Sequence, residues 1–214
     1  MINKLSTKFQ VWFASFLIWL FHVSAMIGIT MGHKDWFLEK TPLNLSLSLV
    51  LFFWIFPINT MKRALLFVLF FGIGMLAEWL GVTYGLLFGE YKYGEALGPK
   101  LDGVPWLIGC YWGLLAFITY EIAKYKGIPI WLQLCIGAGL MVLLDFFMEI
   151  NAPNFDFWTF NGEVPLKNYV TWFVIGLSMQ LLLKRFHITG NKTISYHLYT
   201  AQLLFFIYFS LINV

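Results

Sequence analysis

Charged residues are scarce in this chain, since Asp, Glu, Lys and Arg make up only 12% of its 214 residues. In a soluble domain about a quarter of all residues are charged. The formal net charge of +3 is also small, so the sequence gives no sign of a basic surface for nucleic acid. Hydrophobic residues make up 60% instead, and the mean hydropathy is +0.75. This composition predicts an integral membrane protein.

Cysteine and cofactor motifs are equally sparse. Cys110 and Cys135 both lie in apolar runs, where a small buried hydrophobe is the simplest interpretation. The sequence has no Cys/His spacing typical of zinc sites, no glycine-rich phosphate loop, no GxSxG and no HExxH. His22 and His197 fall at different predicted depths, which disfavours a shared haem or metal site. We therefore predict no metal and no cofactor.

Seven apolar segments follow one another with short connections, which predicts an all-α membrane protein with one polytopic domain over residues 1–214. Most are near the roughly 20 residues that a helix needs to span a bilayer. The first is too long for the roughly 7–15-residue core of a signal peptide, and the second is the weakest. The segments cover residues 9–31, 43–59, 64–88, 104–122, 129–149, 168–184 and 195–213.

The distribution of Lys and Arg predicts the orientation of this bundle. With a cytoplasmic N-terminus, nine basic residues fall on the inner side and five on the outer side. This bias favours a multi-pass protein of the cytoplasmic (inner) membrane, with its C-terminus outside. The loops 89–103 and 150–167 then share the outer side. Both are rich in Tyr, Trp, Asn, Gly and Pro, which is typical of binding loops but also of an aromatic belt at the headgroups.

Three carboxyls lie inside the predicted spans: Glu78, Asp145 and Glu149. At 1.5 Å per residue, Glu78 lies roughly 21 Å and Asp145 roughly 24 Å from the inner ends of their segments. Glu149 lies one helical turn beyond Asp145, on the same face. Glu78 shares a face with Gly74, Gly81 and Gly85, which predicts that it points into the bundle. The three acids are thus expected to line one pocket below the outer loops.

No basic residue falls within a predicted span to neutralise these acids. Two close carboxyls buried without a cation are expected to hold at least one proton at neutral pH. Three uses of such a site stay open: a general acid in an enzyme, a proton relay in a transporter, or polar pairing between helices.

Three stretches resemble one known family. They are EWLGVTYGLLFGEYKYGEALGPKLDGVPW at 78–106, LLDFFMEINAP at 143–153, and Trp158 with VPLKNYVTW at 164–172. These stretches are similar to the membrane-bound carotenoid hydratases, which include γ-carotene 1′-hydratases and bisanhydrobacterioruberin hydratases. One departure is visible, since an acid is expected directly before the proline, whereas Ile150, Asn151 and Ala152 separate Glu149 from Pro153.

The resemblance implies addition of water to a terminal isoprene double bond of a carotenoid, without a cofactor. It also implies contact with membrane lipid and with other enzymes of the carotenoid pathway. In this chemistry Asp145 would donate the proton, and Glu78, Glu149 or Asn168 would hold the water. The end group would be bound by aromatic side chains, for which we expect Tyr91, Tyr93, Trp106, Trp158 and Trp172. The alternatives are a proton-coupled transporter of a small solute that uses the same acids, and a non-catalytic membrane subunit.

Overall fold

The computed structural model describes residues 2–212, with side chains from residue 7 onward. Within these residues the chain forms eight α-helices and four strands of two or three residues, so the architecture is all-helical as predicted. In chain order the elements are α1 (Ile2–Thr30), α2 (Lys34–Glu39), α3 (Thr41–Ile55), α4 (Met61–Tyr84), β1 (Tyr91–Tyr93), β2 (Lys100–Leu101), β3 (Val104–Pro105), α5 (Trp106–Ala123), α6 (Ile130–Asn151), β4 (Trp158–Phe160), α7 (Leu166–Arg185) and α8 (Lys192–Ile212).

In the described part of the chain, five helices are long and apolar enough to cross a membrane: α4, α5, α6, α7 and the part of α1 from Thr7 to Thr30. Helix α3 is apolar but has 15 residues, which extend about 22 Å against a hydrocarbon core of about 30 Å. Helix α8 is long, but it begins with the polar stretch KTISYHLYTAQ and is not one of the five. The count of seven spans and the orientation therefore stay predictions. The last residue of the seventh predicted span, 213, lies outside the described residues.

Prolines and caps set the helix boundaries around the site. Helices α5, α6 and α7 each begin directly after a proline: Pro105, Pro129 and Pro165. A helix start tolerates proline because the first N–H groups of a helix have no intrahelical partner. Helix α4 begins after Thr60, whose hydroxyl accepts the Arg63 N–H, and ends at Gly85 in the left-handed conformation with φ 63°.

Glycines let α4 and α5 approach closely. A Cβ added at Gly74 would lie 2.5 Å from the Trp112 side chain, and one added at Gly113 would lie 2.9 Å from Phe67. Small residues at such contacts allow helix backbones to approach each other in a membrane. Glu78 is one turn after Gly74 on the same face and is buried. The predicted direction of Glu78, into the bundle, agrees with its position in the structure.

The two aromatic loops pair with each other at one end of the bundle. Strand β1 runs antiparallel to β4, with Tyr91 opposite Phe160 and Tyr93 opposite Trp158. Strands β2 and β3 form a hairpin whose turn residues, Asp102 and Gly103, both have positive φ. The loops therefore form an ordered cap over the bundle end to which Glu78, Asp145 and Glu149 belong.

Candidate active site

Glu78 on α4 accepts hydrogen bonds from three side chains. The Trp112 Nε1–H donates to Oε1 at 2.9 Å, and the Tyr93 hydroxyl donates to Oε2 at 2.8 Å. The Tyr91 hydroxyl also donates to Oε2. Two of these donors come from β1 in the cap and one comes from α5. Both carboxyl oxygens thus act as acceptors, which is the arrangement of an ionised carboxylate.

The two tyrosines of β1 are suited to remain donors. Burial, together with the nearby charge of Glu78, raises the pKa of Tyr91 above its ordinary value. The same two causes, in the same order, raise the pKa of Tyr93 well above its ordinary value. Both hydroxyls therefore keep their protons and stay bonded to Glu78 over the physiological pH range.

Asn168 on α7 joins the two acids of α6. Its Nδ2 donates to Asp145 Oδ2 at 2.8 Å and to Glu149 Oε1 at 3.1 Å. The side chains of Asn168 and Asp145 are almost fully buried, at 1% and 2% exposure. Because one amide nitrogen binds both carboxyls, these oxygens cannot be farther apart than the sum of the two distances. The sequence spacing of one turn and the amide on the facing helix together fix this acid pair.

The cap reaches the acid pair through Trp158. Its Nε1–H donates to Glu149 Oε2 at 2.7 Å. Trp158 on β4 is the register partner of Tyr93 on β1, and their ring centroids lie 5.9 Å apart. Each of the two loops thus sends a hydrogen-bond donor to an acid on a different helix.

The three acids have no cationic partner in the described part of the chain. Ion pairs there involve Glu39, Glu95 and Glu121, all outside this cluster. Exposure of the acids is low, at 4% for Glu78, 2% for Asp145 and 7% for Glu149. Among the described residues, these carboxyls are therefore held by hydrogen-bond donors rather than by Lys or Arg.

The three acids line a large, mainly apolar cavity of about 460 Å³. This volume is in the range of sites that bind small molecules. From the acids the cavity extends to α1, α2 and α3, where its lining includes Leu20, Trp36 and Leu43. These three side chains are 44–60% exposed on the outside of the bundle. The cavity thus connects a buried acid cluster to the apolar flank of the bundle.

Two stacked indoles form the wall beside Glu78. The rings of Trp112 and Trp172 lie 3.8 Å apart by centroid with 15° between their planes, and Phe88 packs against both. Trp112 was not among the residues expected at the site. The signal was available, because a buried Trp N–H in an apolar helix needs an acceptor, and Glu78 is a carboxyl predicted inside a neighbouring span.

Most of the predicted site residues line this single cavity, and one does not. The lining includes Glu78, Tyr91, Tyr93, Asp145, Glu149, Trp158, Asn168 and Trp172. Trp106 is instead 47% exposed and stacks on Phe71. It precedes Ile108, which does line the cavity, by two residues, and two residues turn an α-helix by about 200°. The structure therefore places Trp106 on the opposite face of α5.

The arrangement suits proton transfer to an apolar ligand. A carboxyl pair bridged by Asn168 can hold and return a proton, while Glu78 supplies negative charge and the indoles supply π faces close to it. Aromatic faces and carboxylates both stabilise a cation that forms on a ligand. Buried acids also act without competition from bulk water.

Comparison with known proteins supports a specific family. A model of the carotenoid biosynthesis protein family matches residues 40–214, which is more than four fifths of the chain. Comparisons with curated proteins and with solved structures gave no significant match. The matched region contains the three acids, Asn168 and both strands of the cap. The chain belongs to the carotenoid biosynthesis protein family.

Proposed function

We propose that this protein is a carotenoid hydratase, a cofactor-independent hydro-lyase. It adds water to a terminal isoprene double bond of an acyclic end group and forms a tertiary alcohol. The observation that carries the proposal is the convergence of three buried carboxyls in the wall of one mainly apolar cavity, none of them paired with a cation among the described residues. An apolar ligand has few groups that can react with an acid cluster. An alkene is one such group, because it can accept a proton.

The reaction begins with protonation of the alkene. Asp145 receives one side-chain hydrogen bond among the described residues, whereas Glu78 receives three. Asp145 is therefore the proton donor in our proposal, and Glu78 remains a carboxylate. The π electrons of the alkene form a new C–H bond to this proton at the less substituted carbon. The other alkene carbon, which has lost its share of the π electrons, becomes a tertiary carbocation.

Water then completes the addition. Its oxygen forms a C–O bond to the cationic carbon, and its surplus proton passes to the carboxyl pair of Asp145 and Glu149. This return restores the starting protonation, so no other reactant is consumed. While it exists, the cation is stabilised by Glu78 and by the stacked rings of Trp112 and Trp172.

A transport path for a small solute is less well supported by the structure. Such a path needs polar groups along its whole length. Between α3, α4 and α5, away from the cap, Phe117 packs against Phe52, Phe67 and Phe70 with ring centroids 5.7–6.3 Å apart. A packed aromatic core fits an enzyme cavity that is closed on this side.

The test is expression of the full chain in a host that accumulates lycopene or γ-carotene. We expect a new pigment heavier by one water, with a hydroxyl group at the acyclic end. An unchanged pigment profile across several acyclic-ended carotenoids would refute the hydratase function.

A further inference from the structure

Three buried side-chain atoms in the described part of the chain have no hydrogen-bond partner within the protein. They are Asn44 Oδ1, Gln180 Oε1 and Gln202 Nε2. Asn44 and Gln202 line the cavity that holds the acids, whereas Gln180 does not. Native proteins pair nearly all of their buried polar atoms, because an unpaired one is costly. Two such atoms in one cavity wall therefore indicate a bound polar atom.

His22 on α1 lies at nearly the same level of the bundle as Gln202 on α8. Helices α1 and α8 run in parallel, since Trp19 hydrogen-bonds to His197 and Thr30 hydrogen-bonds to Tyr208, each at 3.0 Å. This register places His22 level with the turn of α8 that precedes Gln202. Both side chains line the cavity and are only 5–6% exposed.

The hydrogen bond of His22 defines what its ring can offer. Nδ1 lies 2.8 Å from the carbonyl oxygen of Ile18, and because a carbonyl only accepts, Nδ1 carries the proton. In a neutral imidazole the other nitrogen, Nε2, is then an acceptor. This part of the cavity wall thus combines an amide donor on Gln202 with acceptors on Asn44 and His22.

These groups have no evident use for a hydrocarbon. The lining around them is mostly apolar and includes Ala25, Ile29, Phe205 and Phe206, together with Ser24, Thr41 and Lys40. None of the three polar side chains carries a charge when His22 is neutral, and the cation in this lining, Lys40, pairs with Glu39. A neutral ligand therefore matches these groups better than an ion. A donor together with acceptors matches an oxygen that is itself both donor and acceptor, as in water or an alcohol.

We propose that Gln202 and Asn44, with His22 beside them, form a second polar subsite that binds one such oxygen atom. The subsite rests on the proposed function, because that function supplies two sources of such an oxygen. The oxygen atom belongs either to the water that the reaction consumes or to a hydroxyl group on the bound isoprenoid. In both cases the subsite is formed by side chains of α1, α3 and α8, whereas the carboxyls belong to α4 and α6.

The experiment uses the purified full-length protein in lipid nanodiscs and two probes, lycopene and its monohydrated derivative. Binding is followed by quenching of tryptophan fluorescence, and turnover is followed by chromatography. The variants are Gln202→Met and Asn44→Leu, which remove the polar atoms but keep similar volumes. Gln180→Met is the matched control, because it changes a buried glutamine with an unpaired atom outside the cavity. Thermal unfolding of each variant reports whether it folds. If only one of the two cavity variants folds, that variant is sufficient to test the subsite.

The two sources predict different results. If the oxygen is on the ligand, the wild type binds the hydroxylated probe about fivefold or more tightly than lycopene, as expected for one buried hydrogen bond. Both cavity variants lose that preference, and Gln180→Met keeps it. If the oxygen is water, both probes bind alike, but the cavity variants hydrate lycopene about fivefold or more slowly at unchanged KM.

The subsite is refuted if the folded cavity variants match the wild type in both probe preference and hydration rate. A wild type that binds but never hydrates lycopene refutes the proposed function instead. In that event the subsite is tested only by the binding preference between the two probes. A hydroxyl preference that is lost in Gln202→Met supports the subsite, and equal binding of both probes by every protein refutes it.

Discussion

Asn168 Nδ2 lies 2.8 Å from Asp145 Oδ2, and among the described residues this is the only side-chain hydrogen bond that Asp145 receives. The same nitrogen also binds Glu149, so one amide on α7 positions both acids of α6. The proposed proton donor thus depends on a neutral neighbour for its orientation.

Replacing Asn168 by Leu should therefore weaken both structure and activity. A lost hydrogen bond costs about 0.5–1.5 kcal/mol at a neutral carboxyl such as protonated Asp145, and about 1.5–3 kcal/mol at a charged one. We expect a lower unfolding temperature and a fall in hydration rate, measured on the purified variant. The control is Asn161→Leu, because Asn161 is exposed and bonds Glu90 outside the cavity. An Asn168→Leu variant as active as the control would show that the acid pair needs no bridge.

Gly74 should be sensitive to a single added methyl group. A Cβ there would lie 2.5 Å from Trp112, the donor to Glu78, so Gly74→Ala must move that indole. Overpacking of this kind costs about 1–3 kcal/mol. Gly72→Ala is a close control, since a Cβ at Gly72 meets nothing within 4 Å and Ala favours a helix. We expect reduced stability and hydration in the first variant and neither effect in the second. Equal behaviour of the two would argue against the tight α4–α5 contact.

The helices could be predicted from the sequence because their signals are local. Long apolar runs placed α5, α6 and α7 within a few residues of their observed ends. The predicted end of the third apolar segment, at residue 88, was too late, because Gly85 ends α4 in the left-handed conformation. The short helix α2 was not predicted, since its six residues lie in a predicted loop and have no apolar period.

The site depended on contacts that sequence spacing does not encode. The spacing of Asp145 and Glu149 and the glycine face around Glu78 indicated which helix faces carry acids. It could not show that β1 pairs with β4, which brings Tyr93 and Trp158 together from loops about 65 residues apart. The rotational position of Trp106 and the bond from Trp112 to Glu78 likewise follow from packing of whole helices.

Trp112 and Trp172 have similar ring environments but different hydrogen bonds, which makes them a matched pair. Trp112→Phe removes one of the three donors to Glu78, whereas Trp172 makes no side-chain hydrogen bond among the described residues. Both changes lose part of the stacked area, worth about 0.5–1.5 kcal/mol for an aromatic pair. We therefore expect Trp112→Phe to lower the unfolding temperature and the hydration rate more than Trp172→Phe does. The reverse order would mean that the indole N–H does not support Glu78.

Alkaline pH should destabilise the cap. The pKa of Tyr93 is raised well above 10.0 by burial and by Glu78, so the folded protein keeps this proton where the unfolded chain loses it. The stabilisation is complete below pH 10 and declines as the pH rises above it. Unfolding temperatures measured on either side of pH 10 should fall less in Tyr93→Phe than in the wild type. Tyr84→Phe, at an exposed tyrosine, serves as the control and should follow the wild type. A Tyr93→Phe variant with the wild-type pH dependence would contradict this account.

The most direct test of the proposed chemistry is hydration in water enriched in oxygen-18. The purified protein in lipid nanodiscs is given an acyclic-ended carotenoid, and the product is analysed by mass spectrometry. We predict that the wild type forms a tertiary alcohol that contains the heavy oxygen. The control variant Asp102→Asn should form the same product, because its exposed turn position suits asparagine. Asp145→Asn should form it about 10²–10⁴-fold more slowly, the usual contribution of a general acid. A wild type that yields no labelled alcohol, or a folded Asp145→Asn variant with full activity, would contradict the account.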